Sequence, residues 1–292
     1  MTPTRRLAGV GLALLSGVAL GAAPASAQIG ALAVAAATAG SSGEYALAGA
    51  PVFSESGLVL DQGWSAGAFG VVTNTGTTFF DGFGGSVDGD VAQSNLSTGV
   101  FVAAGERAMV GAVLNPYVST EFSAGGQSET FSGLGNLTLV GKLALNPDSP
   151  TRFAAGVSVE LPTGDEDIVS QAMSVTAGLG ASHPLDANTS LHGGLSLTFN
   201  GEDEDRFIES STAIGFNGAV VRQLNPKTWL SGELLGSSVE GAWQVLLAPG
   251  LRFRAGERVF IDAGLAFGAL SSDDAFPIDY GLAVGATLIP AR

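Results

Sequence analysis

Two histidines, a scatter of serines and two acidic runs are the residues of this chain whose types and spacing could do chemistry. A hydrolytic site needs a serine and a histidine within hydrogen-bond reach, with a third polar group to orient the imidazole. His183 falls at a turn, and His192 shares one face of an extended segment with Ser196. Four residues of extended chain separate that pair by roughly 13 Å, at about 3.3 Å per residue. They cannot pair directly, so no catalytic residue is assigned and no enzymatic activity is expected. Asp165-Glu166-Asp167 and Glu202-Asp203-Glu204-Asp205 offer clustered carboxylate oxygens, but neither has the ligand spacing of an EF-hand loop. Both runs read as solvated loops, and no metal or cofactor is expected. Gly82-Phe83-Gly84-Gly85 lacks the strand-to-helix context of a nucleotide-binding glycine loop. The chain has no cysteine, which removes thiol chemistry and disulfides.

The other candidates are isolated charges: Lys142, Glu160, Glu233, Arg252, Asp262 and Asp279. Each falls on the small or polar side of a segment whose opposite side is apolar. After Thr151, for example, Phe153, Ala155, Val157, Val159 and Leu161 alternate with Arg152, Ala154, Gly156, Ser158 and Glu160. A period of two means a strand. The same reading sets Val259, Ile261, Ala263, Leu265 and Phe267 against Asp262, Gly264, Ala266 and Gly268, with Leu246 and Phe260 as exceptions to the alternation. If the hairpin closes at Ala255-Gly256-Glu257, Gly250 lies opposite Asp262 and Arg252 lies diagonal to it. The inward charges then either stiffen the interior or filter solutes by charge.

Twelve such segments follow one another from Gly63 to Pro290. Short turn-rich links, such as Ala104-Gly105-Glu106, Asn146 to Pro150, Pro184 to Asn188, Leu224-Asn225-Pro226 and Ala255-Gly256-Glu257, alternate with others that are mostly longer or more acidic. The longer set comprises Thr73 to Asp90, Ser123 to Thr130, Thr163 to Val169, Gly201 to Arg206 and Ser271 to Phe276. The link from Ser237 to Gly241 is the short member on that side. This is the pattern of an all-β, antiparallel transmembrane barrel of about 12 strands, with short periplasmic turns and longer outer loops. A soluble sandwich would dress its outer face with Lys, Glu and Thr, whereas the second face here is mostly Gly, Ala, Ser and Thr.

The start of the chain agrees with export. Arg5 and Arg6 precede an apolar run from Leu7 to Ala23, and Ala25-Ser26-Ala27 supplies a small-residue cleavage site, so residues 1–27 read as a signal peptide. Residues 28–62 fit no strand and read as a leader, with a lumen plug as the alternative; residues 63–292 form the barrel. Without Arg5 and Arg6 the chain carries 10 basic against 27 acidic residues, a net charge near −17. That excludes nucleic acid as a natural partner and leaves outer-membrane lipids and a small-molecule solute.

The segment Gly135 to Lys142, followed by Val157-Ser158-Val159-Glu160-Leu161-Pro162-Thr163-Gly164-Asp165, resembles outer-membrane transporters of the phenol-degradation meta-pathway family. There a lysine-containing strand leads across the next turn to a Leu-Pro-Thr-Gly-Asp motif at a strand end. The resemblance implies a barrel in the cell outer membrane that takes up small, in part hydrophobic, molecules. The chain departs from the common barrel ending, which closes on an aromatic residue, because its last strand runs to Pro290-Ala291-Arg292. A non-conducting barrel, structural or serving surface interaction through its acidic loops, is the competing expectation.

Overall fold

The computed structural model describes residues 52, 54, 56, 58–60, 63–80, 86–203, 209–272 and 278–289. The segment expected to be a signal peptide, Gly82 to Gly85 and the end of the second acidic run lie outside them. Among the described residues every regular element is a strand: β1 (Trp64–Phe80), β2 (Ser86–Ala103), β3 (Ala108–Ala124), β4 (Gln127–Gly133), β5 (Leu137–Ala144), β6 (Arg152–Leu161), β7 (Ser174–Pro184), β8 (Thr189–Asn200), β9 (Ser211–Asn225), β10 (Thr228–Val239), β11 (Ala242–Arg254), β12 (Val259–Ser271) and β13 (Tyr280–Leu288). Each ladder is antiparallel, and β1 joins both β2 and β13, so the sheet closes on itself. The ring holds twelve positions, because β4 pairs with the outer half of β3 while β5 pairs with its inner half. β4 and β5 are therefore one wall position split at Leu134–Asn136.

Alternation places the side chains. Along β13, Gly281, Ala283, Gly285 and Thr287 are buried, whereas Tyr280, Leu282, Val284 and Leu288 are exposed. The exposed face of the whole ring is apolar, with Leu195 on β8 63% accessible and Leu179 on β7 57%. Water would make such a surface costly, and lipid removes that cost. Outward aromatics mark both rims, with Tyr117, Phe199, Trp243 and Tyr280 towards the outer loops and Trp64, Phe153 and Phe253 towards the short turns. Between Trp243 and Phe253 the strand rises roughly 33 Å, or about 25 Å along the axis at a tilt of about 40°, the height of a lipid-facing band.

Three phenylalanines lie across the ladder from glycines: Phe69 opposite Gly285, Phe101 opposite Gly111 and Phe216 opposite Gly236. A Cβ on any of these glycines would stand within 2.2 Å of the ring. The absent side chains let the rings lie flat on the neighbouring strand, which helps a curved sheet to close.

The short links form one end of the barrel, as the sequence leads one to expect. In one of them Asp186 accepts a hydrogen bond from the Asn188 backbone N–H at 2.7 Å. That bond is the main reason its carboxyl is held below the usual range. The other end differs from expectation in two places. Thr73 to Asp90 is not a long loop, because β1 and β2 stay paired from Asn74 through Phe80 and from Ser86 through Ala92. Nor is Ser123 to Thr130 a loop, since Gly125 and Gly126, at φ of 59° and 79°, make a two-residue turn into β4. Gly, Thr, Ser and Asp predominate in both segments, so they pair through backbone without showing apolar alternation. β1, β2 and β3, at 17, 18 and 17 residues, run longer than the roughly 9–11 residues a bilayer requires and extend the wall beyond it.

The candidate channel lumen

Ladder register decides which charges meet. Arg252 lies directly opposite Asp262, and Gly250 opposite Gly264, two residues from the register expected for the turn. The reason is a turn that falls one residue later: Ala255 N donates to Val259 O at 2.9 Å, leaving Gly256, Glu257 and Arg258 in the loop. Arg252 Nε donates to Asp262 Oδ1 at 2.7 Å, with side chains 1% and 0% accessible. The Arg252 guanidinium also lies 5.8 Å from the Phe260 ring, and that of Arg254 lies 5.2 Å from Phe260 and 5.6 Å from Trp229. Phe260, an exception to the alternation, is thus an inward ring sandwiched among cations and an indole.

Leu246, the other exception, is also inward. It packs with Leu235, Ala248, Ala266, Val71, Ala283, Ile278 and Val52. Ile278 comes from the link before β13 and is held by its N–H on Gln244 Oε1 at 3.2 Å. The arc from β10 through β13 to β1 is therefore filled by side chains. Glu233 on β10 belongs to this arc: its Oε1 accepts from Ser231 Oγ and from Val52 N, both at 2.7 Å.

The opposite arc is lined differently. From β6 to β9 the inward positions include Gly156, Thr176, Gly178, Gly194, Ser196, Thr198, Gly215 and Asn217, all partly accessible. Thr176 and Thr198 hydroxyls bond each other at 2.9 Å. His192 is buried between Ser182 Oγ, 2.8 Å from Nδ1, and Ser190 Oγ, 2.7 Å from Nε2. Lys142 on β5 is buried, and its Nζ donates to Ser56 O at 2.7 Å. Glu160 on β6 is half-buried. Asp279 lies outside this group, exposed at the outer rim, where its carboxylate accepts from Gly76 N at 2.7 Å.

The Leu161-Pro162-Thr163-Gly164-Asp165 motif closes the split in the wall. Asp165 Oδ2 accepts from Leu134 N at 2.7 Å, Thr163 Oγ1 accepts from Leu137 N at 3.0 Å, and Asp165 N donates to Leu134 O at 2.8 Å. Gly164 admits no side chain, because a Cβ there would stand 2.6 Å from Leu134 O. Pairing alone does not reveal Asn115 and Asn136, which carry the repair inward. Ser97 Oγ donates to Asn115 Oδ1 at 2.7 Å, Asn115 Nδ2 to Asn136 O at 3.3 Å, and Asn136 Nδ2 to Glu160 Oε1 at 3.1 Å. Asn136 Oδ1 also accepts from the N–H groups of Thr163 and Gly164, at 3.2 and 3.1 Å. The first acidic run supplies Asp165 to this joint, and the second supplies Asp203, which accepts from Gln171 N at 2.8 Å. An inward asparagine reads the same in the sequence whether it lines a path or mends a split ladder, so no sequence signal singles out Asn115 and Asn136.

A closed ring of strands, apolar towards lipid and polar within, defines an outer-membrane β-barrel. The chain belongs to the family described as "Putative MetA-pathway of phenol degradation", whose model matches residues 61–274. It is similar in structure to an outer membrane channel from Pseudomonas putida F1, at a TM-score of 0.65 and 13% identity over 80% of this chain and 97% of the other. It is also similar to the β domain of the Bordetella autotransporter BrkA, at 0.53 and 11% over 79% and 100%. The NanC porin follows at 0.52 and 8% over 77% and 100%. No curated protein sequence matches the chain.

Proposed function

We propose that the protein is a passive channel for small, in part hydrophobic, molecules, and that its solute path runs along the β6–β9 arc. The observation that carries this reading is the asymmetry of the lumen. Apolar side chains and the Arg252–Asp262 pair fill one arc, whereas glycine, serine, threonine and asparagine line the other. Small polar residues leave room for a hydrated path, while a ring of twelve lies between barrels of about eight strands, filled by side chains, and wide porins of 16–18. Lys142 and Glu160 stand at the edge of the small-residue arc and act as its charge filter. Arg252, Asp262 and Glu233 serve chiefly to hold the filled arc together. The family's link to phenol degradation supports a solute that combines an apolar body with a polar group.

The test is the reversal potential across a planar bilayer under a salt gradient. Glu160→Gln should move selectivity towards anions, whereas Arg252→Met/Asp262→Leu, which removes one charge of each sign from the filled arc, should leave selectivity near that of the parent. Selectivity that ignores Glu160 but follows the Arg252–Asp262 pair would place the path on the other arc.

A further inference from the structure

A cavity of about 500 Å³ opens at the outer end of β8 and β9, lined by Phe199, Asn200, Ser210, Ser211, Thr212 and Glu240. Its size falls within the range of about 300–1,000 Å³ usual for small-molecule sites. Part of its lining is barrel wall, with Phe199 opposite Thr212 and Asn200 opposite Ser211. The Asn200 amide is engaged there, accepting from Ser174 Oγ at 2.9 Å and donating to Ser211 Oγ at 3.1 Å. Two other groups are left to meet a ligand. Phe199 offers a ring that is 51% accessible. Glu240 offers a carboxylate that has no hydrogen bond or ion pair among the described residues.

Glu240 is an unusual residue for its place. Val239 pairs with Ala242, so Glu240 and Gly241 make a two-residue turn from β10 to β11, at φ of 51° and 94°. Turns of this kind favour Asn-Gly or Gly-Gly, because both central residues are left-handed. Gly125 and Gly126 follow that preference, and among the described residues Glu240 is the only non-glycine at positive φ. A glutamate here strains the backbone, and what it adds over asparagine is a full negative charge. The surroundings favour a cation beside it. Every described lysine and arginine, from Arg107 to Arg258, lies on a short turn or at the strand end that joins one. The outer end instead carries carboxylates such as Glu121, Glu129, Asp167 and Glu202, and no described cation. The field at this end therefore draws positive solutes and repels carboxylates.

We propose that this cavity binds an organic ammonium group, with Glu240 as its counter-ion and Phe199 as the aromatic face beside it. A carboxylate and an ammonium make a charge-assisted bond, and a ring within about 6 Å adds cation–π attraction. The cavity stands at the level of the outer aromatic rim, where the same group arrives from two sources: a small amine in the medium, or the ethanolamine headgroup of a lipid. The site needs no path through the barrel, so it stands or falls independently of the channel reading.

Benzylammonium is the probe, with benzyl alcohol and benzoate as its neutral and anionic counterparts. In calorimetric titration of folded residues 28–292 in a non-ionic detergent, benzylammonium should bind about tenfold or more tightly than benzyl alcohol, and benzoate should not bind. Glu240→Gln should weaken benzylammonium by about tenfold or more, and Phe199→Leu by about two- to fivefold. Glu240→Asn separates the site from the fold. Asparagine suits the turn, so the urea midpoint should hold or rise while affinity drops as in Glu240→Gln. Nanodiscs then distinguish the sources. Glu240-dependent binding that is lost in phosphatidylethanolamine but kept in phosphatidylglycerol assigns the site to the lipid headgroup, and binding kept in both assigns it to a soluble amine. No benzylammonium binding to the parent in detergent, benzyl alcohol bound as tightly, or affinity unchanged in both Glu240 variants would each overturn the proposal.

Discussion

Removing the Arg252 charge while leaving Asp262 in place should be among the most damaging single changes to this barrel. The pair meets at 2.7 Å with both side chains essentially inaccessible, so its charge centres are about 4 Å apart and attract by about 4 kcal/mol at an effective dielectric constant near 20. Arg252→Met leaves a carboxylate buried opposite methylenes, and such a break costs about 3–5 kcal/mol. Arg252→Met with Asp262→Leu removes both charges and should cost about 1–2 kcal/mol, mainly the lost stacking on Phe260. The non-additivity is the signature of the pair. In a urea titration of the refolded protein, scored by the different gel mobilities of folded and unfolded barrel, a loss of about 4 kcal/mol moves the midpoint by about 2 M at a slope near 2 kcal/mol per M. The double variant should recover most of that shift. If the double variant cost the sum of the two singles to within about 0.5 kcal/mol, the two side chains would not be coupled and the buried pair would be refuted.

The lipid-facing assignment makes a depth prediction: Leu195→Arg, midway along β8, should destabilise the barrel in vesicles by about 2–4 kcal/mol, and Leu185→Arg in a short turn by about 0–1 kcal/mol. Equal costs would contradict the outward face. Gly285→Ala should cost about 1–3 kcal/mol by the same titration, because the new methyl collides with the Phe69 ring, and Phe69→Leu in the same chain should return part of it. Gly164→Ala should free the loop that spans Thr163 to Gln171, read as faster cleavage there in limited proteolysis, with the rest of the barrel intact. A cleavage rate unchanged from the parent would show that the motif does not hold that loop.

Strand count and facing were legible in the sequence because a barrel writes both in one period. Every outward residue of β13 is large or exposed and every inward one small, so the face can be read by counting in twos. Register was harder. Placing the β11–β12 turn one residue early shifted the pairing by two, which kept Arg252 and Asp262 on the correct face but made them diagonal neighbours instead of partners. The tops of β1 to β4 were not legible for a different reason. Above the bilayer both faces meet water, so Thr, Ser, Asp and Gly pair through backbone alone and leave no apolar stripe. The wall joint at Asn115 and Asn136 was also hidden, since an inward asparagine reads the same whether it lines a path or mends a split ladder. Val52, Ser54, Ser56 and Leu60 gave no periodic signal because their burial comes from the ring around them.

The most direct test is single-channel recording of residues 28–292 in a planar bilayer. Discrete current steps are expected, with a reversal potential under a salt gradient that shifts towards anions in Glu160→Gln. A correctly folded barrel that passes no current in either form would contradict the channel reading.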